Sequence, residues 1–106
     1  MKVFINYYGV YDIDVQDDLK ILSHGQVIHG MQFAHYPDSL IPLSYYGESS
    51  GVGEVLTSAH FQFKDIAAIG LGVGTLAAYA DPSRTMDFYE LDPDVYLIAR
   101  KYFNYL

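Results

Sequence analysis

The chain has no cysteine and no tryptophan, and only six of its 106 residues are Lys or Arg. The first absence excludes disulfides and thiolate metal sites and leaves the redox compartment open. The scarcity of basic residues, with a formal charge of −7, removes the electrostatic footprint that nucleic acid or anionic lipid requires. No apolar run is long enough to cross a bilayer, which takes roughly 20 residues: the longest, Ile66–Ala80, is closed off by Asp65 and Asp81. No secretory leader pattern opens the chain either, since MKVFINYYGV lacks an apolar core of sufficient length. What is present is 51% hydrophobic residues with eleven Tyr and six Phe, the composition of one small folded domain rich in strands.

The two parts of the chain follow different periodicities. Val3, Ile5, Tyr7, Gly9, Tyr11, Ile13 and Val15 alternate with residues that turn polar at Asp12, Asp14 and Gln16, which predicts one long strand with a buried face. A turn at Gln16-Asp17-Asp18, a short strand Leu19–Ser23, a turn at His24-Gly25 and a third strand Gln26–Phe33 complete an antiparallel meander of three strands. Residues 34–50 read as loop. Val52, Val55, Leu56 and Ala59 then share one face of a helix of about three turns. Ser49-Ser50-Gly51 lacks the G-x-S-x-G pattern of a nucleophile elbow and reads as a helix start.

From residue 64 onward strands and helices alternate. Ile66–Gly70 is apolar without alternation, as in a parallel strand covered on both faces. Thr75–Ala80 reads as helix, Asp81-Pro82-Ser83 as its stop, and Met86–Leu91 as a second strand. Asp92 is an N-cap with Pro93 at the first helical position. Val95, Ile98, Ala99, Tyr102, Phe103 and Leu106 mark the apolar face of the last helix. The expected class is α/β: an antiparallel β-domain over 1–33, and over 34–106 the first β-α-β-α portion of a Rossmann-like, methyltransferase-type fold.

Chemistry concentrates in IGLGVGT. Gly70, Gly72 and Gly74 follow a strand where a βα unit opens onto its ligand crevice. Glu90 ends the next strand, 20 residues after Gly70, where a carboxylate accepts the hydroxyls of a ribose. The pattern is G-x-G-x-G, and Thr75 occupies the third small position of a dinucleotide fingerprint, so a nucleoside is favoured over NAD. His24, His29, His35 and His60 are not paired on a helix face and read as turn or loop histidines, with no metal. Asp12, Asp14, Asp17 and Asp18 read as an exposed strand face and a turn, without a calcium-loop pattern.

These motifs, AAIGLGVGTLAAYA and FYELDPDVYLIAR, resemble motifs I and II of class I S-adenosylmethionine-dependent transferases, and more narrowly the spermidine synthase family. LSHGQVIHGMQF and PLSYYGESSGVGEVL resemble a spermidine-synthase-like branch whose members are often joined to membrane-spanning segments. The resemblance covers roughly residues 7–106. It implies a cytoplasmic transferase of polyamine biosynthesis with an oligomerising β-domain. Such an enzyme moves an aminopropyl group from decarboxylated S-adenosylmethionine to an amine, and homo-oligomers are expected. It places Gly70, Gly72 and Gly74 in the donor loop, Glu90 at the ribose, Tyr46 beside Tyr45 near the donor, and Gln32 on the donor side.

Two departures accompany it. Val73 stands where the family carries the Asp that grips the donor's amine. The family's catalytic Asp lies beyond the second helix, so no catalytic residue is assigned, and the 106 residues are expected to be an N-terminal fragment inactive alone. A non-catalytic interaction module with a degenerate pocket, or a methyltransferase using S-adenosylmethionine itself, are the alternatives.

Overall fold

A computed structural model describes residues 1–106. It is a mixed α/β structure built on two sheets. Strands β1 (Lys2–Asn6), β2 (Gly9–Gln16), β3 (Leu19–His24) and β4 (Val27–Phe33) form an antiparallel sheet in the order of the chain. Strands β5 (Asp65–Ile69) and β6 (Thr85–Tyr89) form a two-stranded parallel sheet. Helix α1 covers Gly51–Thr57 and α2 Pro93–Tyr102, with single 3-10 turns at Asp38–Leu40, Ser44–Tyr46 and Thr75–Tyr79.

The meander has four strands, not the three expected. The long first strand breaks at Tyr7-Tyr8, where the Asn6 side chain accepts a hydrogen bond of 2.8 Å from the Tyr8 N–H. This is an Asx-type turn, written with no Gly or Pro at its centre. Because two residues form the loop, Phe4 pairs with Tyr11 and Lys2 with Ile13. The inward parity therefore switches: Tyr11 and Ile13 are buried, whereas Val3 and Ile5 face outward.

One core joins the two sheets. Tyr11, Ile13 and Leu22 from the meander pack with Leu71, Val73, Val95, Ile98, Ala99, Phe103 and Tyr105. The Lys20 ammonium donates to the Tyr102 carbonyl (3.1 Å) at the carboxyl end of α2, where the helix dipole favours a cation. Asp92 caps α2 through the Asp94 N–H (2.9 Å), and Ser50 caps α1 through the Gly53 N–H (3.1 Å), both as the local sequence indicates.

Other expectations need correction. Thr75–Tyr79 is a 3-10 turn, because five residues between a glycine loop and Asp81-Pro82 are too few to offset the nucleation cost of an α-helix. Helix α1 stops at Thr57, where Ser58 turns extended; it buries Gly53 and Leu56, leaving Val55 exposed and Ala59 beyond its end. Strand β5 is not covered on both faces, since Ala67 and Ile69 are exposed. Phe103 leaves α2 in an extended conformation, and Leu106 folds back against Gly74 instead of extending the helix.

Candidate functional site

The glycine loop connects β5 to the Thr75–Tyr79 turn. Gly70, Gly72 and Gly74 have φ of +91°, +57° and +88°. Side chains rarely adopt these values, so the alternating glycines are a backbone requirement. The intervening residues point inward: Leu71 and Val73 are buried. Val73 seats on β4 at Gly30, where an added Cβ would lie 2.6 Å from Val73 Cγ2. Only a glycine there allows the loop to dock on the meander.

Glu90 faces this loop. One carboxylate oxygen accepts from the Leu71 N–H (2.9 Å) and the other from the Asp92 N–H (3.0 Å). The side chain thus ties the loop after β5 to the loop after β6. A carboxylate offers about four acceptor positions, so roughly two remain for a ligand.

Between the loops and the meander lies a cleft of about 550 Å³, within the range of small-ligand sites. Ile69, Gly70, Gly72, Glu90 and Asp92 line one side; Tyr11, His24 and His29 line the other. Tyr45 and Tyr46 close one end, held by a 2.5 Å hydrogen bond from the Tyr79 hydroxyl to the Tyr46 carbonyl. No Lys or Arg lines the cleft, and its fixed charges are the carboxylates of Glu90 and Asp92.

Asp92 is buried and committed to the fold. Asn6 donates to both of its oxygens (3.0 and 2.8 Å) and the Tyr11 hydroxyl to one of them (2.7 Å). Burial alone would raise its pKa, but the hydrogen bonds from Asn6, Tyr11 and the Asp94 N–H, with His24 nearby, outweigh burial and hold it below the usual carboxylate range. The same contact, after burial, pushes the Tyr11 phenol upward.

The residues singled out in the sequence separate into two groups. Gly70, Gly72, Glu90 and Tyr46 meet at the cleft. Gly74 and Gln32 do not line it. Gly74 backs onto Leu106, and Gln32 is wholly buried. The Gln32 amide donates to the Ser39 carbonyl (2.7 Å) and to the Asn104 side chain, and its oxygen accepts from the Asn104 N–H (3.1 Å). Its geometry locks the chain end and the 34–50 loop to β4. Gln32→Ala is expected to cost about 2 kcal/mol, read by urea denaturation, because it strands buried partners; ligand affinity of the folded fraction should stay unchanged.

His24 and His29 are strand residues, not turn or loop ones. The ladder shifts between Leu22, paired with Gly30, and Ser23, paired with Ile28, which leaves His29 as the extra residue of a β-bulge. Nothing in the local sequence marks it. Tyr8 and Tyr11 also line the cleft, although only Tyr46 stood out beforehand as a ligand contact. No group of three or more His, Cys, Asp or Glu side chains is arranged to hold a metal, and no helix is long and apolar enough to cross a membrane.

Comparison of the chain with protein-family models, with curated proteins and with solved structures finds no match.

Proposed function

We propose that this chain binds an S-adenosyl nucleoside as part of a spermidine-synthase-like aminopropyltransferase, with residues 34–106 as the start of a Rossmann-like unit. The observation that carries the reading is Glu90. It reaches the glycine loop at Leu71 and retains acceptor positions inside a cleft with no basic side chain. Without Lys or Arg, and beside two carboxylates, a phosphorylated ligand is disfavoured, whereas a neutral nucleoside or a sulfonium suits the cleft.

The test is calorimetric titration with S-adenosylmethionine, its decarboxylated form and methylthioadenosine. Binding of at least one is expected, weakened tenfold or more in Glu90→Ala, which loses the ribose acceptor and unties both loops. Absence of binding by all three defeats the proposal. A second reading, binding without group transfer, is favoured by Val73, which packs in the core where the resembled family carries an acid for the donor's amine. Product mass after incubation with an amine separates aminopropyl transfer, methyl transfer and neither.

We also propose self-association through the meander. Strand β1 is a free edge, and its outward residues Val3 and Ile5, with Val10 beside them, are exposed. A second copy related by a two-fold axis pairs this edge with itself and covers that patch. Light scattering is expected to give a dimer, and Ile5→Lys a monomer with an unchanged far-ultraviolet spectrum. A monomeric parent chain refutes it.

A further inference from the structure

Strand β4 diverts one residue into a bulge, and that residue is His29. Bulges re-aim side chains, and this one puts an imidazole on the cleft wall. The ring has an aromatic neighbour on the same wall. It meets His24 edge to face with centroids 5.1 Å apart, and His24 stacks on Tyr11 at 4.3 Å. His24 is itself fixed, because its Nε2 lies 2.9 Å from the Tyr8 carbonyl, which accepts only. The cleft therefore sets two imidazoles into the same space as the Glu90 and Asp92 carboxylates.

Their availability differs. Asp92 is taken up by Asn6, Tyr11 and the start of α2. Glu90 spends one acceptor position of each oxygen on the loops. His24 is tied to Tyr8. His29 is the imidazole left to respond to what enters.

Resting on the nucleoside reading above, we propose that His29 is the charge gate of the cleft: neutral, it admits a cationic nucleoside ligand, a sulfonium or an ammonium, beside Glu90; protonated, it expels that ligand. Burial first, and then the neighbouring His24, lower the His29 pKa, while Glu90 acts in the opposite direction. The net shift leaves the ring neutral at pH 7 and charged only on acidification. The groups around it are His24 from β3, Tyr11 from β2, Tyr8 from the first hairpin, Tyr45 and Tyr46 from the 3-10 turn, and Glu90 and Asp92 from the loop after β6. Among side chains of these types, histidine is the one whose charge ordinarily changes between about pH 5.5 and 7.

The ligand pair is decarboxylated S-adenosylmethionine, which carries a sulfonium and an ammonium and no carboxylate, and methylthioadenosine, the neutral thioether that remains when its aminopropyl group is removed. Each is titrated calorimetrically into the chain at steps from pH 7 down to about pH 5, above the isoelectric point of about 4.7, with circular dichroism confirming the fold at each step. Affinity for decarboxylated S-adenosylmethionine is expected to fall about threefold or more across this window: repulsion between two nearby charges acts only on the fraction of His29 that is protonated, and a lowered imidazole charges towards the acid end. Methylthioadenosine affinity should move less than about twofold, since it offers no charge to repel. His29→Gln should bring the cation's profile to within about twofold of flat. His24→Gln should keep the fall and move it to higher pH by relieving His29 of its neighbour. Parallel profiles for the two ligands overturn the gate alone, as does a fall that survives His29→Gln and vanishes in His24→Gln. No binding of either ligand at pH 7 overturns the nucleoside reading and the gate with it. The comparison of two ligands on the unaltered chain holds even if a variant fails to fold.

Discussion

Val73→Asp is expected to lose about 4 kcal/mol or more of stability in urea denaturation at 25 °C. Val73 is 1% exposed and belongs to the core cluster. It sits over Gly30, with Cγ2 and Cγ1 at 2.6 and 2.9 Å from where a Cβ would be. A carboxylate there has no cationic partner, since the nearest structure is the backbone of β4 and apolar side chains. A chain of this size has about 5–15 kcal/mol of total stability, so one uncompensated buried charge removes a large share of it. Val73→Ala is the control and should cost only about 2 kcal/mol.

The pairing with Gly30 is testable in a cycle. Gly30→Ala overpacks the same contact and should cost about 1–3 kcal/mol alone. Combined with Val73→Ala the cost should be less than additive, because the smaller side chain makes room for the new methyl. A functional consequence follows. In the resembled family an acid at this loop position grips the ligand's amine, but here the position faces the core. Val73→Asp should therefore not improve affinity for S-adenosylmethionine, and calorimetry on whatever fraction stays folded checks this.

Asp92→Ala should destabilise the chain at pH 7 by about 3 kcal/mol, combining a lost helix cap with stranded donors on Asn6 and Tyr11. The effect has a pH signature whose sign is fixed by the direction of the shift. The Asp92 carboxyl is held below its ordinary value in the folded chain, where the hydrogen bonds from Asn6, Tyr11 and the Asp94 N–H outweigh burial. A depressed acid adds stability that is fully present above the unfolded-state value of about 4 and is lost as pH falls through the folded one. The difference between parent and variant should therefore be largest at pH 7 and should shrink by about pH 3. Urea midpoints at the two pH values measure it; equal midpoints for parent and variant at pH 7 would show that the Asn6–Tyr11–Asp92 network contributes nothing. Tyr11→Phe should lose only about 1 kcal/mol, since Asn6 still holds both oxygens.

Local rules in the sequence reach a definite distance. Alternation in Val3–Val15 marks β-structure, Ser50 and Asp92-Pro93 mark two helix starts, and the triple glycine marks a loop of left-handed backbone. Each depends on sterics or hydrogen bonds within a few residues, so it is written locally. The spacing of Glu90 from Gly70 was equally legible, because two adjacent parallel strands fix where their ends meet. The same rules misplace Thr75–Ala80 and Leu106, where segment length and a distant contact overrule apolar periodicity.

By itself, then, the sequence determined that the chain opens in β-structure, where the two later strands lie, the caps, the glycine loop and the carboxylate that meets it, all consequences of backbone geometry and short-range pairing. Only the tertiary structure decided that Tyr7-Tyr8 is a turn, that His29 is a bulge, that Gln32 locks the chain end, and that Val73 faces Gly30. The contacts behind these outcomes join distant parts of the chain: Val73 meets Gly30, Asn104 meets Gln32 across 72 positions, and Asp92 meets Asn6 across 86. Packing and hydrogen bonding across such separations depend on how two sheets dock, and no local stretch of chain encodes that docking.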